Sequence, residues 1–130
     1  MGQEYMSYTE FLDSLHDGIL TPEGNCPVTP LLLILQGRWK AQILYDMCRY
    51  DTVRFSQLKK DLPDITNTML SKSLRDLEYD GLIKREQFNE IPPHVEYSFT
   101  DMGRDLLPVF YAIMNWGLRH QEELYPSAER

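Results

Sequence analysis

Five side chains within one short stretch carry the chemistry of base recognition. Asn67, Thr68, Ser71, Lys72 and Arg75 combine donors and acceptors on one side of an expected helix. In a duplex major groove an Asn amide can pair adenine twice, Arg and Lys can pair guanine, and small Ser or Thr lets the backbone approach. Thr66 stands just before them, where a helix N-terminus would also aim amides at phosphate. The plainer reading of such a face is an ordinary solvated one. Cations near it in sequence tilt the choice towards nucleic acid, since phosphates are positioned by point charges. Arg54 opens and Lys59 and Lys60 close the preceding helix, Lys84 and Arg85 lie on the following strand, and His94 sits near a loop. Lys84 and Arg85 are adjacent on a strand, so at most one of them faces a duplex. Arg38 and Lys40 are further candidates, with Trp39 between them assigned to the core.

Cysteine chemistry is the second possibility. If Pro27 is the first residue of a helix, Cys26 takes the cap position, where unpaired amides and the helix dipole favour a thiolate. Such a thiol could become a sulfenic acid, an adduct or an inter-subunit disulfide. The alternative is a small buried side chain without a role. Cys48 falls on an apolar stripe and reads as core. Nothing in the pattern supports catalysis. His16, His94 and His120 are scattered without partners at ligand spacing, no glycine-rich phosphate loop occurs, and no nucleophile–base pair can be proposed. The expectation is a non-enzymatic protein needing neither metal nor cofactor.

The elements that must carry these groups follow from periodicity and punctuation. Ser7 and Glu10 have capping-box spacing at the start of a helix to His16, with Tyr8, Phe11, Leu12 and Leu15 on one stripe and Gly18 as its stop. A turn follows at Thr21–Asn25. Pro27 suits the start of a second helix whose buried body is the run Leu31–Leu35, ended by Gly37. Arg38–Cys48 is again helical, with Trp39, Ile43, Leu44, Met47 and Cys48 on one side. Phe55, Leu58 and Leu62 mark a short helix closed by Pro63. Asp64 or Thr66 then caps a helix to Tyr79, with Met69, Leu70, Leu74 and Leu77 inward and Gly81 after it. Ile83–Phe88 and Val95–Phe99 alternate with period two across Asn89–Pro93, a β-hairpin with a long loop. Thr100 caps a final helix, which Pro108 kinks or delays. This helix, order helix–turn–helix–hairpin, is that of a winged helix-turn-helix: mainly α with a small β-hairpin.

Bulk composition agrees. At 130 residues and with 42% apolar and 25% charged residues, the chain suits a single globular domain. Two cysteines make no disulfide scaffold, and the longest apolar run is far too short to span a membrane. A cytoplasmic, bacterial-type setting is expected. The net charge of −7 resides wholly in the flanks, whereas Arg54–Arg85 carries seven basic and five acidic residues. An acidic chain can therefore still present a basic centre to a duplex.

Six stretches, in order, carry a family likeness: Cys26-Pro27-Val28, Gly37-Arg38-Trp39-Lys40, Arg54-Phe55-Ser56-Gln57-Leu58, Leu70–Glu78, Asp80-Gly81-Leu82-Ile83 and Pro92–Thr100. With them the chain resembles the HxlR-type family of bacterial winged helix-turn-helix transcription regulators from Cys26 to about His120. Two departures are the acidic N-terminal segment Glu4–Asp17 and Arg38 where a lysine is expected. The resemblance implies a homodimer joined through terminal helices on a pseudo-palindromic operator, and in some members a sensing cysteine placed as Cys26 is.

The expected organisation is one domain over 1–130: an N-terminal helix and loop (1–25), a DNA-binding core (26–100) with its wing at 82–99, and a dimerisation helix (100–125). Tyr8, Phe11, Leu15, Phe110, Ile113, Met114 and Trp116 exceed what one small core can cover and are assigned to the dimer interface. The rivals are a winged-helix protein–protein interaction module, which the acidic flanks would suit, and a small-ligand-gated regulator with an inert Cys26.

Overall fold

A computed structural model describes residues 5–17 and 26–126. The expected stop at Gly18 and the turn Thr21–Asn25 lie outside the described residues. Helix α1 (Tyr8–Asp17) begins with the anticipated reciprocal cap. The Ser7 amide donates to Glu10 Oε2 at 2.6 Å, and the Glu10 amide donates to Ser7 Oγ at 3.1 Å.

Helix α2 (Thr29–Leu33) is shorter than the sequence suggests. Its cap is Val28, not Cys26, and Pro30 rather than Pro27 occupies its first turn. The run Leu31–Ile34 is not the buried body expected, because all four side chains are exposed within the chain, and only Leu35 turns onto the core.

Three helices form the centre: α3 (Lys40–Met47), α4 (Phe55–Asp61) and α5 (Asn67–Tyr79). Their inward faces supply Ile43, Leu44, Met47, Leu58, Leu70, Leu74 and Leu77, joined by Val53, Ile65, Leu82, Ile83 and Phe99. Trp39 is half-buried against this core. Two inward assignments are corrected. Met69 lies 41% exposed, because at 100° per residue it falls on the flank of α5 and not on its Leu70–Leu74–Leu77 stripe. Cys48 is exposed at the C-cap of α3, its thiol donating back to the Leu44 carbonyl at 3.3 Å.

Helix α5 has both ends defined by side chain and backbone. Of the two candidate caps, Thr66 is used, with its Oγ1 accepting from the Met69 amide at 3.1 Å. At the other end Gly81 adopts φ 81°, and amides of Gly81 and Leu82 return to the carbonyls of Glu78 and Leu77 at 3.0 Å each. That reversal needs a left-handed residue, hence glycine. It feeds the chain into β1 (Ile83–Phe88), which pairs antiparallel with β2 (His94–Phe99) in the register Ile83↔Phe99, Arg85↔Tyr97, Phe88↔His94. A two-bond bridge between Val53 and Tyr97 ties the wing to the segment before α4.

The expected final helix is three pieces: α6 (Asp101–Arg104), α7 (Leu107–Arg119) and α8 (Gln121–Leu124). Thr100 does cap α6, accepting from the Gly103 amide at 3.0 Å while its own hydroxyl donates to the Gly81 carbonyl. Pro108 stands in the first turn of α7, where its missing N–H costs nothing, so it starts a new helix instead of kinking a long one.

Candidate nucleic-acid interface

The face of α5 opposite the buried leucines holds the residues singled out from sequence. Asn67 and Thr68 are exposed in its first turn, Lys72 and Arg75 are exposed one and two turns on, and Ser71 is half-buried. At 100° per residue Thr68, Lys72 and Tyr79 point most directly away from the core. Ser71, Arg75 and Glu78 run beside them on the side turned towards the wing, with Arg75 about 20° from Thr68. They line a cleft of about 430 Å³ with Arg85 and Tyr97 from the facing strands. Arg85 and Tyr97 are cross-strand partners and share a face, whereas Lys84 pairs with Ser98 on the other. The two adjacent cations therefore part as the alternation requires.

The remaining cations differ in how far they are already engaged. Lys72 Nζ lies 2.8 Å from Asp76 Oδ2, and Lys40 Nζ lies 3.8 Å from the same oxygen, tying α3 to α5. Those lysines, Lys72 first, hold the Asp76 carboxyl below its ordinary range. Lys59 donates to the Pro63 carbonyl at 3.2 Å and Arg38 stacks 4.4 Å above the Trp39 ring. Arg54 is the exposed N-cap of α4, and Lys60 is exposed at its end. His94 is committed to the wing itself. Its ring stacks on Phe88 at 4.7 Å, with Glu96 Oε2 at 3.0 Å from Nε2 and Glu90 Oε2 at 3.8 Å from Nδ1.

Cys26 is exposed, two residues before the α2 cap. The Thr29 hydroxyl, then the amides of Thr29 and Val28, hydrogen-bond its sulfur and hold the thiol below its ordinary value. Local donors thus do what the cap position was expected to do. Partial desolvation of the sulfur pushes the Cys48 thiol the opposite way, although the residue as a whole is exposed. Of the side chains assigned to an interface, Tyr8, Leu15, Ile113, Met114 and Trp116 are exposed, Phe11 is half-buried against the Tyr8 ring, and Phe110 packs on the core.

Two features escaped sequence reasoning. Glu78 and Tyr97 join the cleft, which the spacing of Ser71, Arg75 and Glu78 on one stripe could have suggested. Asp46 and Asp61 form a largely buried carboxyl pair between α3 and α4, both reaching Arg49 Nη1 at 3.1 and 3.7 Å. No sequence spacing signals that pair. Among the described residues no group of His, Cys, Asp or Glu could hold a metal ion, and no helix is long and apolar enough to cross a membrane.

Comparison with known proteins places this arrangement. Residues 34–125 match the HxlR-like helix-turn-helix family. YdeP of Bacillus subtilis, an uncharacterized HTH-type transcriptional regulator, is 41% identical over 100 residues, 77% of each chain. Among solved structures, the redox regulator HypR in its reduced form is similar at 36% identity and TM-score 0.72, over 78% of this chain and all of that one. The reduced form of the transcriptional regulator YodB from B. subtilis is similar at 26% identity and TM-score 0.68, over 79% of this chain and 98% of that one. Cap, turn, helix and wing are those of a winged helix-turn-helix, and the relatives are regulators and not enzymes. The chain belongs to the HxlR-like helix-turn-helix family of transcriptional regulators.

Proposed function

We propose that the protein acts as a homodimer that binds a pseudo-palindromic duplex operator sequence-specifically, with α5 in the major groove. The observation that carries this reading is the exposure of Asn67, Thr68, Lys72 and Arg75 on a capped helix flanked by the wing. Asn67, Thr68 and Lys72 read base edges, with Thr66 and Ser71 letting the backbone approach. Arg54 and Lys60 supply phosphate contacts, Lys84 lies on the wing face opposite Arg85, and Lys59, Arg38, Lys40 and His94 hold the surrounding surface in shape through their internal partners. A two-fold pair of such helices about 34 Å apart meets successive major grooves on one side of a duplex. The exposed apolar side chains of α1, α2 and α7 favour the second copy.

Cys26 is the proposed input. Its exposure and lowered pKa suit oxidation or adduct formation at the sulfur, and the likeness to a protein named a redox regulator supports the same assignment. Selection of bound fragments from random duplex DNA tests the main reading, giving site, symmetry and half-site spacing together. Asn67→Ala and Lys72→Ala should each weaken operator binding by about 1–3 kcal/mol and relax preference at one base pair per half-site. Binding without sequence preference, or without steep salt dependence, would refute it. Cys26→Ser with an unchanged response to oxidants and electrophiles would instead favour a ligand-gated regulator.

A further inference from the structure

The cleft between α5 and the wing is lined by two arginines from different elements. Arg75 enters from the helix and Arg85 from β1, with Ser71, Tyr97 and Glu78 completing the lining. Several neighbouring cations are already engaged: Lys40 and Lys72 share Asp76, Lys59 donates to Pro63, Arg49 serves Asp46 and Asp61, and Arg38 lies on Trp39. Among the described residues neither guanidinium has a salt-bridge partner, although Arg75 adds to the field that lowers the Asp76 carboxyl and the Glu78 carboxylate lines the same cleft. Two cations that line one cleft from two elements can share an anion.

We propose that this cleft seats one backbone phosphate diester of the bound duplex, gripped by Arg75 and Arg85 together, so that Arg75 sets register instead of reading a base. The assignment rests on the reading of α5 as the helix that enters DNA. The cleft separates the two tasks, because Arg75 lines it with Ser71 and Glu78 whereas Thr68 and Lys72 do not. A guanidinium fork matches phosphate oxygens in a way a lysine does not, and the Ser71 hydroxyl adds a donor. Glu78 sets the charge of the seat. Two cations and one carboxylate leave a single positive charge, which a diester neutralises, whereas free orthophosphate brings about one and a half negative charges at neutral pH. The diester is therefore the better match. The Arg75 side chain also links recognition helix and wing through one phosphate, fixing how far the helix slides along the groove.

The test uses the full chain and the operator recovered by selection, with a single methylphosphonate moved along each strand. One position per half-site should cost the wild type about tenfold, and cost Arg75→Ala or Arg85→Ala nothing further. Each variant should weaken operator and scrambled duplex by the same factor. The double variant should lower the salt slope of the dimer by about 1.8, the value for one phosphate in each of two half-sites. Arg75→Lys and Arg85→Lys should restore part of the loss, with circular dichroism unchanged throughout. A shift in base preference by Arg75→Ala with the wild-type methylphosphonate profile retained would overturn the proposal. So would a loss of about 3.6, which means two separate phosphates in each half-site. Displacement of duplex by orthophosphate at constant ionic strength, lost in Arg85→Ala, would assign the cleft to the free ion and overturn it too. Salt-dependent duplex binding with a different profile removes the seat alone. No duplex binding at all removes the reading of α5, and the seat with it.

Discussion

Replacing Asp46 by asparagine should stabilise the domain and alter its response to pH. The Asp46 side chain is 10% exposed; its Oδ1 takes Arg49, and its Oδ2 is buried without a partner. Facing it, Asp61 accepts from Tyr50 Oη at 2.5 Å and Gln57 Nε2 at 2.8 Å. Burial, then the facing Asp61 carboxylate, pushes the Asp46 carboxyl up. The Tyr50 hydroxyl, then Asp46, holds Asp61 down. As pH falls Asp46 is therefore first to take a proton, and it donates that proton to Asp61. A group raised in the folded state contributes stability that is complete below the unfolded value of about 3.9 and is lost as pH rises through the folded one. Asp61 and Asp76 are depressed, so their contributions are present above about 3.9 and vanish as pH falls through their folded values. Stability should thus peak in mild acid and decline towards neutrality by the Asp46 share. Asp46→Asn supplies a permanent N–H where the acid proton would sit. An unsatisfied buried oxygen costs about 1–3 kcal/mol, and loss of the exposed Arg49 partner offsets part of the gain. The net expectation is about 1 kcal/mol at neutral pH, a Tm rise of about 4 °C for a domain of this size. Thermal unfolding followed by circular dichroism from about pH 3 to 8 measures both effects. A variant less stable than wild type at neutral pH, or one retaining the decline above pH ~4, would refute the shared-proton account.

Other perturbations test the supports of the interface. Thr66→Ala removes the acceptor for the Met69 amide and should cost about 0.5–2 kcal/mol in urea unfolding, with Thr66→Ser recovering most of it. Gly103→Ala would drive a methyl into the Leu82 carbonyl, so the folded yield should collapse, while Gly117→Ala meets nothing within 4 Å and should be neutral or stabilising by up to about 1 kcal/mol. Limited alkylation with iodoacetamide at neutral pH, mapped by mass spectrometry, should label Cys26 well before Cys48. The first thiol is lowered by Thr29 and the second raised by partial desolvation; the reverse order would remove Cys26 as a reactive thiol.

Helix α5 and its surroundings were legible because several local signals agree there. Thr66 can cap, Leu70, Leu74 and Leu77 recur at helical spacing, Gly81 permits the reversal, and the following residues alternate with period two. The reciprocal cap of Ser7 and Glu10 was legible for the same reason. Features that depend on chain segments meeting in space were not. The Val53–Tyr97 bridge is one residue pair and has no period. The pairing of Arg75 with Arg85 needs the angle between helix and wing. Met69 and Cys48 sit at the margins of apolar stripes, where a rotation of a few tens of degrees decides burial.

The run Leu31–Ile34 and helix α7 failed differently, and the failure is informative. Apolar composition says that a surface must be covered; it does not say by which chain. All 13 residues of α7 lack full burial, and only Phe110 and the neighbouring Leu106 reach the core. Val109, Ile113, Met114, Trp116 and Leu118 are exposed, as are Leu31, Leu32 and Leu33. A helix of this length is marginal in water on its own propensity, since nucleation must be offset by tertiary packing. Its persistence therefore requires cover, which the proposed second copy would supply. If so, unfolding of α7 is linked to dissociation, and the midpoint of thermal unfolding must rise with protein concentration. A midpoint constant across about a hundredfold range of concentration, with full helical signal at the lowest, would show that one chain holds α7 unaided and would remove the argument for the dimer.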